Sequence, residues 1–260
     1  FHDILPGTSI SEVYDDVYKE YEEARRIGEE IRTNSLRDII NKEVANYTIF
    51  NNANWYRSDI VKIPEIIDGV WEDEKGNTLI SQIIDDETAV YVENMKPMSF
   101  TNIKFNSKQQ IQFTIPFKPY KNGIRTPYYE IEWNDKGQLI KVYDLILQRD
   151  VLAENGKGNV LQLIDDRSVT PDAWDVESYY YTKVHNRIDE ISELVSVDID
   201  NIGPLEARIM FQWKFRKTTI KQKLILYSKS RRIDFKTEVN WKERQKLLKA
   251  AFDVNVRSTY

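Results

Sequence analysis

Ile233-Asp234-Phe235-Lys236-Thr237-Glu238-Val239-Asn240-Trp241 decides the fold class of this chain. Ile233, Phe235, Val239 and Trp241 alternate with Asp234, Lys236, Glu238 and Asn240. In a strand, period-two alternation turns one set to a core and the other to water, so this is a half-buried antiparallel strand. Working outward, Thr218 to Tyr227 reads as its hairpin partner, joined through Ser228-Lys229-Ser230-Arg231. Val195 to Ile199 and Glu206 to Trp213 pair in the same way around Asn201-Ile202-Gly203-Pro204. The basic run Lys229-Ser230-Arg231-Arg232 reads as solvated turn charge.

Shorter strand candidates precede these: Tyr47 to Phe50, Ile60 to Ile63, Thr78 to Ile84, Ala89 to Val92, Gln110 to Ile115, Tyr128 to Trp133 and Leu139 to Leu147. Turn residues separate them at Glu74-Lys75-Gly76-Asn77, Lys121-Asn122-Gly123 and Asn134-Asp135-Lys136-Gly137. Val160 to Ile164 and Ser178 to Tyr181 flank a loop, and the chain reaches Tyr260 in what reads as one more strand.

The first 45 residues carry a different period. Ile10, Val17, Ala24 and Ile31 recur every seven residues, with Tyr14, Tyr21 and Gly28 four positions after the first three. This is the apolar stripe of a long amphipathic helix that needs partner helices from outside the chain. Ser9-Ile10-Ser11-Glu12 has the pattern of a capping box, set behind the breaker Pro6-Gly7. The stripe loses phase near Thr33-Asn34-Ser35 and restarts at Leu36. A helix followed by antiparallel strands makes the fold α+β in segregated pieces, with one or two sandwiches.

Composition narrows the function. With 41% hydrophobic and 30% charged residues the chain is globular rather than disordered. A net charge of −5 with scattered basic residues argues against nucleic acid as a partner. The absence of cysteine excludes disulfides, thiol nucleophiles and thiolate metal sites, and favours a cytoplasmic setting. No apolar run approaches the length of a membrane span, and neither an initiator methionine nor a signal pattern opens the sequence. The expectation is a cytoplasmic segment of something longer, without a membrane partner.

The residues alone complete no catalytic site. A zinc site needs at least three protein ligands, and the histidines number two, His2 and His185, in no shared motif. His185 sits among polar residues and reads as an exposed loop histidine. Asp165-Asp166-Arg167, Asp172-Ala173-Trp174-Asp175 and Tyr179-Tyr180-Tyr181 interleave acids with aromatics. Sugar sites use that combination, because a ring stacks on the C–H face of a pyranose while carboxylates accept its hydroxyl protons. A solvated loop in front of a tyrosine-rich strand fits the same residues.

Four segments carry a resemblance. Phe1-His2-Asp3-Ile4-Leu5-Pro6-Gly7-Thr8 resembles the end of the catalytic region of the glycoside hydrolase family 38 α-mannosidases. Ile49-Phe50-Asn51 with Trp55-Tyr56-Arg57, Asp172-Ala173-Trp174-Asp175, and Asn240-Trp241 with Leu247-Leu248-Lys249-Ala250-Ala251-Phe252 resemble later family motifs, in the family's order.

The resemblance implies an N-terminal α/β barrel, a three-helix bundle and β-sandwich domains. Residues 1–45 would close the catalytic face and supply the last bundle helix. Residues 46–120 would form a small sandwich region, and 121–260 the first part of a large one. It further implies zinc-dependent, retaining hydrolysis of terminal α-mannosidic bonds on a mannose-containing oligosaccharide. His2 would be a zinc ligand, and Asp3 would accept hydrogen bonds from mannose hydroxyls. Asp172 would stand at the rim of the sugar pocket, on a loop returning to His2. The nucleophile and the other zinc ligands would lie upstream, so no catalytic residue falls in this segment, which alone would be inactive. The enzyme could be a homo-oligomer. The alternative is a non-catalytic β-sandwich module that binds carbohydrate or scaffolds a larger enzyme.

Overall fold

The computed structural model describes residues 3–5, 7–39, 47–107, 111–166 and 189–256. The helix is continuous from Ser11 to Ile39, so the loss of phase near Asn34 is not a break. Thr, Asn and Ser each cost a helix only tenths of a kcal/mol relative to Ala, and no proline follows them. Arg26 bridges Glu23 at 2.8 Å and Glu30 at 3.4 Å on the polar face. The expected Ser9–Glu12 box does not form. Ser11 Oγ donates to the Glu12 carboxylate at 3.3 Å instead, and the first helical bond runs from Val13 N–H to Ile10 O at 3.1 Å. Ile10, Tyr21 and Ile31 are each more than half exposed, so this chain leaves the stripe uncovered.

Two sheets form the first sandwich. One has the order Tyr47–Asn51, Ser99–Asn106, Val70–Asp73, Thr78–Leu79; the other is Arg57–Ile63, Glu87–Met95, Ser81–Ile84. Every pairing is antiparallel. Trp71, Ile103, Val90, Val92, Met95 and Ile63 fill the space between them. The strand expected over Thr78 to Ile84 splits between the two sheets. Ile80 is the corner, and its carbonyl accepts from Tyr91 N–H at 2.9 Å. Ile111 to Ile115, expected as strand, has no regular structure.

The larger body contains a five-stranded sheet from Lys118 to Asp150, a four-stranded sheet from Leu194 to Asn240, and a three-stranded sheet of Asp189–Glu190, Val160–Asp165 and Lys246–Ala251. Both expected long hairpins form, with Ile202 opposite Ala207 and Leu226 opposite Ile233. The core is aromatic at its centre: Trp133 meets Phe211 edge-on at 5.4 Å, and Phe211 stacks on Trp213 at 5.5 Å. Each such pair adds about 0.5–1.5 kcal/mol beyond its buried area.

The alternating strand Ile233–Asn240 lies at the edge of its sheet. Ile233, Phe235 and Trp241 pack on the core, but Val239 keeps 40% of its surface in solvent. The basic turn before it is exposed, as expected, and its charges are also paired. Arg231 pairs with buried Asp144, Arg232 holds Asp234 at 2.6 Å, and the Lys229 ammonium lies 5.7 Å from the Tyr91 ring centre.

Candidate active-site turn and the sandwich junction

Asp3 stands at the head of a closed turn. Its carbonyl accepts from Thr8 N–H at 2.8 Å and from Thr8 Oγ1 at 3.1 Å, while Gly7 N–H reaches Ile4 O at 3.1 Å. Gly7 has φ +81°, a conformation that glycine adopts without a Cβ penalty. The Tyr14 ring, from the first turn of the helix, packs beneath with its hydroxyl buried and unpartnered among the described residues. A side chain at position 7 would approach that hydroxyl to 4.0 Å. The Asp3 side chain itself is exposed, free to accept hydrogen bonds from outside. The turn thus presents a carboxylate directly ahead of a helix and braces it from below.

His2, Asp172 and His185 lie outside the described residues, and with them the expected return of the Asp172 loop to Asp3. Among the described residues no three His, Cys, Asp or Glu side chains converge into a metal-binding group. The described residues by themselves do not make a complete zinc site.

The two sandwiches meet at a polar joint that sequence reasoning missed. The Gln82 side chain, in strand Ser81–Ile84, accepts from Leu205 N–H at 2.8 Å and Glu206 N–H at 2.9 Å. It donates to Asn201 Oδ1 at 2.6 Å and to Glu206 O at 3.1 Å. Both lone pairs of the amide oxygen and both N–H donors are used, and the residue is buried. Beside it Arg208 reaches Asp85 at 2.7 Å, and its guanidinium also pairs with Glu206. The Arg208 hydrogen bond holds the Asp85 carboxyl below the usual carboxylate range, against a smaller cost of burial. Leu205 completes the joint by packing on Ile84 and Ala89. A buried glutamine in a strand is visible in sequence only as a polar residue breaking a run of isoleucines.

A helical lead-in followed by two antiparallel sandwiches is the architecture of a β-sandwich segment, and comparisons with known proteins specify which. The Glycosyl hydrolases family 38 C-terminal domain matches residues 124–260, and the Alpha mannosidase middle domain matches residues 1–39. The first of these covers more than half of the sequence, and the chain belongs to glycoside hydrolase family 38. Human Alpha-mannosidase 2C1 is 22% identical over all of the chain and 24% of its own length. Alpha-mannosidase G of Dictyostelium discoideum is 26% identical over 99% of the chain and 27% of its own length. The chain thus spans about a quarter of the length of the curated relatives it matches.

Solved structures share the fold. A family 38 protein from Enterococcus faecalis superposes with a TM-score of 0.70 over 94% of this chain and 38% of that one, at 12% identity. An α-mannosidase from Enterococcus faecalis V583 does so with a TM-score of 0.66 over 94% of this chain and 36% of that one, also at 12% identity.

Proposed function

We propose that this chain is the middle and C-terminal part of a retaining α-mannosidase that removes terminal mannose from glycans. The observation that carries the reading is the ordered pair of matches, a mannosidase middle domain over residues 1–39 and a family 38 C-terminal domain over 124–260. The mannosidase relatives align along the whole chain, which supports the same activity.

In this proposal the helix and the two sandwiches are a frame that holds the Asp3 turn against a catalytic domain supplied by the longer protein. His2 is a zinc ligand there, and the Asp3 carboxylate accepts hydrogen bonds from mannose hydroxyls. Such bonds raise the rate only where they strengthen as the sugar distorts toward the transition state. The nucleophile and the acid/base carboxyl come from the catalytic domain, so the 260-residue chain is inactive alone. Residues 1–45, 46–120 and 121–260 are the corresponding functional units.

The test is hydrolysis of an aryl α-mannoside by the longer protein, with the first-formed anomer read by proton NMR. Hydrolysis with α-mannose formed first supports the proposal. Either β-mannose as first product, or activity of the 260-residue chain alone, contradicts it.

A further inference from the structure

The small sandwich has an open cleft of about 810 Å³ at its edge, where the chain crosses from strand Glu87–Met95 to strand Ser99–Asn106. Ligand pockets span about 300–1,000 Å³, so this is room enough for a short oligosaccharide. Leu79 and Val92 contribute apolar surface to its lining, and Tyr91 and Phe100 contribute aromatic walls. Phe50 stacks on Phe100 at 4.8 Å with 28° between planes, which fixes the ring while leaving 36% of Phe100 exposed.

Its polar lining is partly braced and partly free. Asp73 accepts from Lys75 N–H, Asn77 N–H and Asn77 Nδ2 at 2.8–2.9 Å. Glu74 accepts from Asn102 N–H at 3.1 Å and from its Nδ2 at 2.8 Å. These bonds hold the rim in one shape without any ligand. Thr78, Glu93, Lys96 and Thr101 also line the cleft, and their side chains make no hydrogen bond among the described residues. Donors and acceptors therefore stand open beside aromatic faces. Three carboxylates (Asp73, Glu74, Glu93) against two ammonium groups (Lys75, Lys96) leave the lining one charge from neutral. That balance disfavours phosphate or any polyanion and suits an uncharged polyol, whose hydroxyls both donate and accept.

We infer that this cleft is an accessory glycan-binding site, taking a neutral, mannose-containing oligosaccharide through stacking on Phe100 and hydrogen bonds to Glu93, Lys96, Thr78 and Thr101. The choice of mannose rests on the proposed mannosidase function; the site itself does not. It belongs to the small sandwich, on different elements from the Asp3 turn, and it would hold a second part of a branched glycan while another part is cleaved.

The experiment is calorimetric titration of the 260-residue chain with an α-linked mannotriose. Millimolar binding is expected for a single shallow site. Phe100→Ala is expected to weaken it by about tenfold through loss of the stacking surface. Glu93→Ala, at an exposed position, is expected to weaken it severalfold without disturbing the fold, so it serves if Phe100→Ala fails to fold. No heat of binding at millimolar sugar, or wild-type affinity in both the Glu93 and Phe100 variants, overturns the site. Aryl α-mannoside hydrolysis by the longer protein is read separately. Hydrolysis without cleft binding removes the accessory site alone, and cleft binding without hydrolysis removes the catalytic reading alone.

Discussion

The side-chain carbonyl of Gln82 accepts the backbone N–H of Glu206 at 2.9 Å, joining residues 124 positions apart and fastening one sandwich to the other. The same oxygen accepts Leu205 N–H at 2.8 Å. Both donors are buried, so without the amide they would have no partner. A buried donor left unsatisfied costs about 1–3 kcal/mol. That makes Gln82 a principal determinant of how the two sandwiches are joined.

Gln82→Leu, close in volume but without the amide, is predicted to lower stability by about 2–4 kcal/mol, as two buried donors lose their acceptor. Urea unfolding followed by tryptophan fluorescence checks it, since Trp71 reports on one sandwich and Trp133 and Trp213 on the other. A transition splitting into two steps is expected, with the sandwiches uncoupled. A single unshifted transition would contradict the role given to this residue.

Gly137→Ala is predicted to be worse than Gly76→Ala, although both glycines have positive φ, +74° and +81°. At 137 a Cβ would stand 2.6 Å from Trp213 Cζ2 and 3.0 Å from Leu194 Cδ1, whereas at 76 nothing lies within 4 Å. Gly76→Ala should cost about 1 kcal/mol, from backbone conformation alone. Gly137→Ala should add about 1–3 kcal/mol of overpacking. Equal losses in the two variants would mean that the Trp213 ring yields without cost.

Acid should loosen the large sandwich once pH falls below the ordinary carboxylate range. Backbone N–H groups of Leu147 and Ile146, together with Arg231, hold the Asp144 carboxyl below its usual range despite burial. A carboxylate whose folded pKa is depressed contributes stability above its unfolded pKa, about 3.9, and loses it as pH falls through the lower folded value. Asp85 acts in the same direction through Arg208, discounted for its exposure. The prediction is a fall in the urea midpoint below about pH 4, flatter in Asp144→Asn. An unchanged slope in that variant would show that Asp144 is not the titrating group.

Sequence periodicity located the large sandwich well, because its hairpins are long, regular and closed by short turns. Thr218 to Tyr227 and Glu206 to Trp213 are runs long enough to mark the strands, and only the pairing itself sets their register. The small sandwich was harder. Val70–Asp73 is only four residues long, and Ser99–Asn106 turns Phe100 outward, so its apolar residues do not keep one phase. Thr78 to Ile84 reads as one strand because nothing in its composition marks Ile80 as a corner. The basic turn reads correctly as exposed charge, but its pairing does not: the partner of Arg231 is Asp144, 87 residues away. The Asp3 turn was legible only through family resemblance, because an exposed carboxylate has no periodicity. Gln82 showed only as a polar residue in a run of isoleucines, and its role, like the Phe100 cleft, is defined by contacts distant in the chain.

The central claim is that residues at the start of this chain belong to the active site of an α-mannosidase. The most direct test is Asp3→Ala in the longer protein, beside His2→Ala, with bound zinc and aryl α-mannoside turnover measured on each. The account predicts that His2→Ala loses zinc and turnover together, because a ligand is removed. It predicts that Asp3→Ala retains zinc yet drops kcat/KM by about tenfold or more, because hydrogen bonds that strengthen in the transition state are lost. Wild-type kcat/KM in Asp3→Ala would contradict the account.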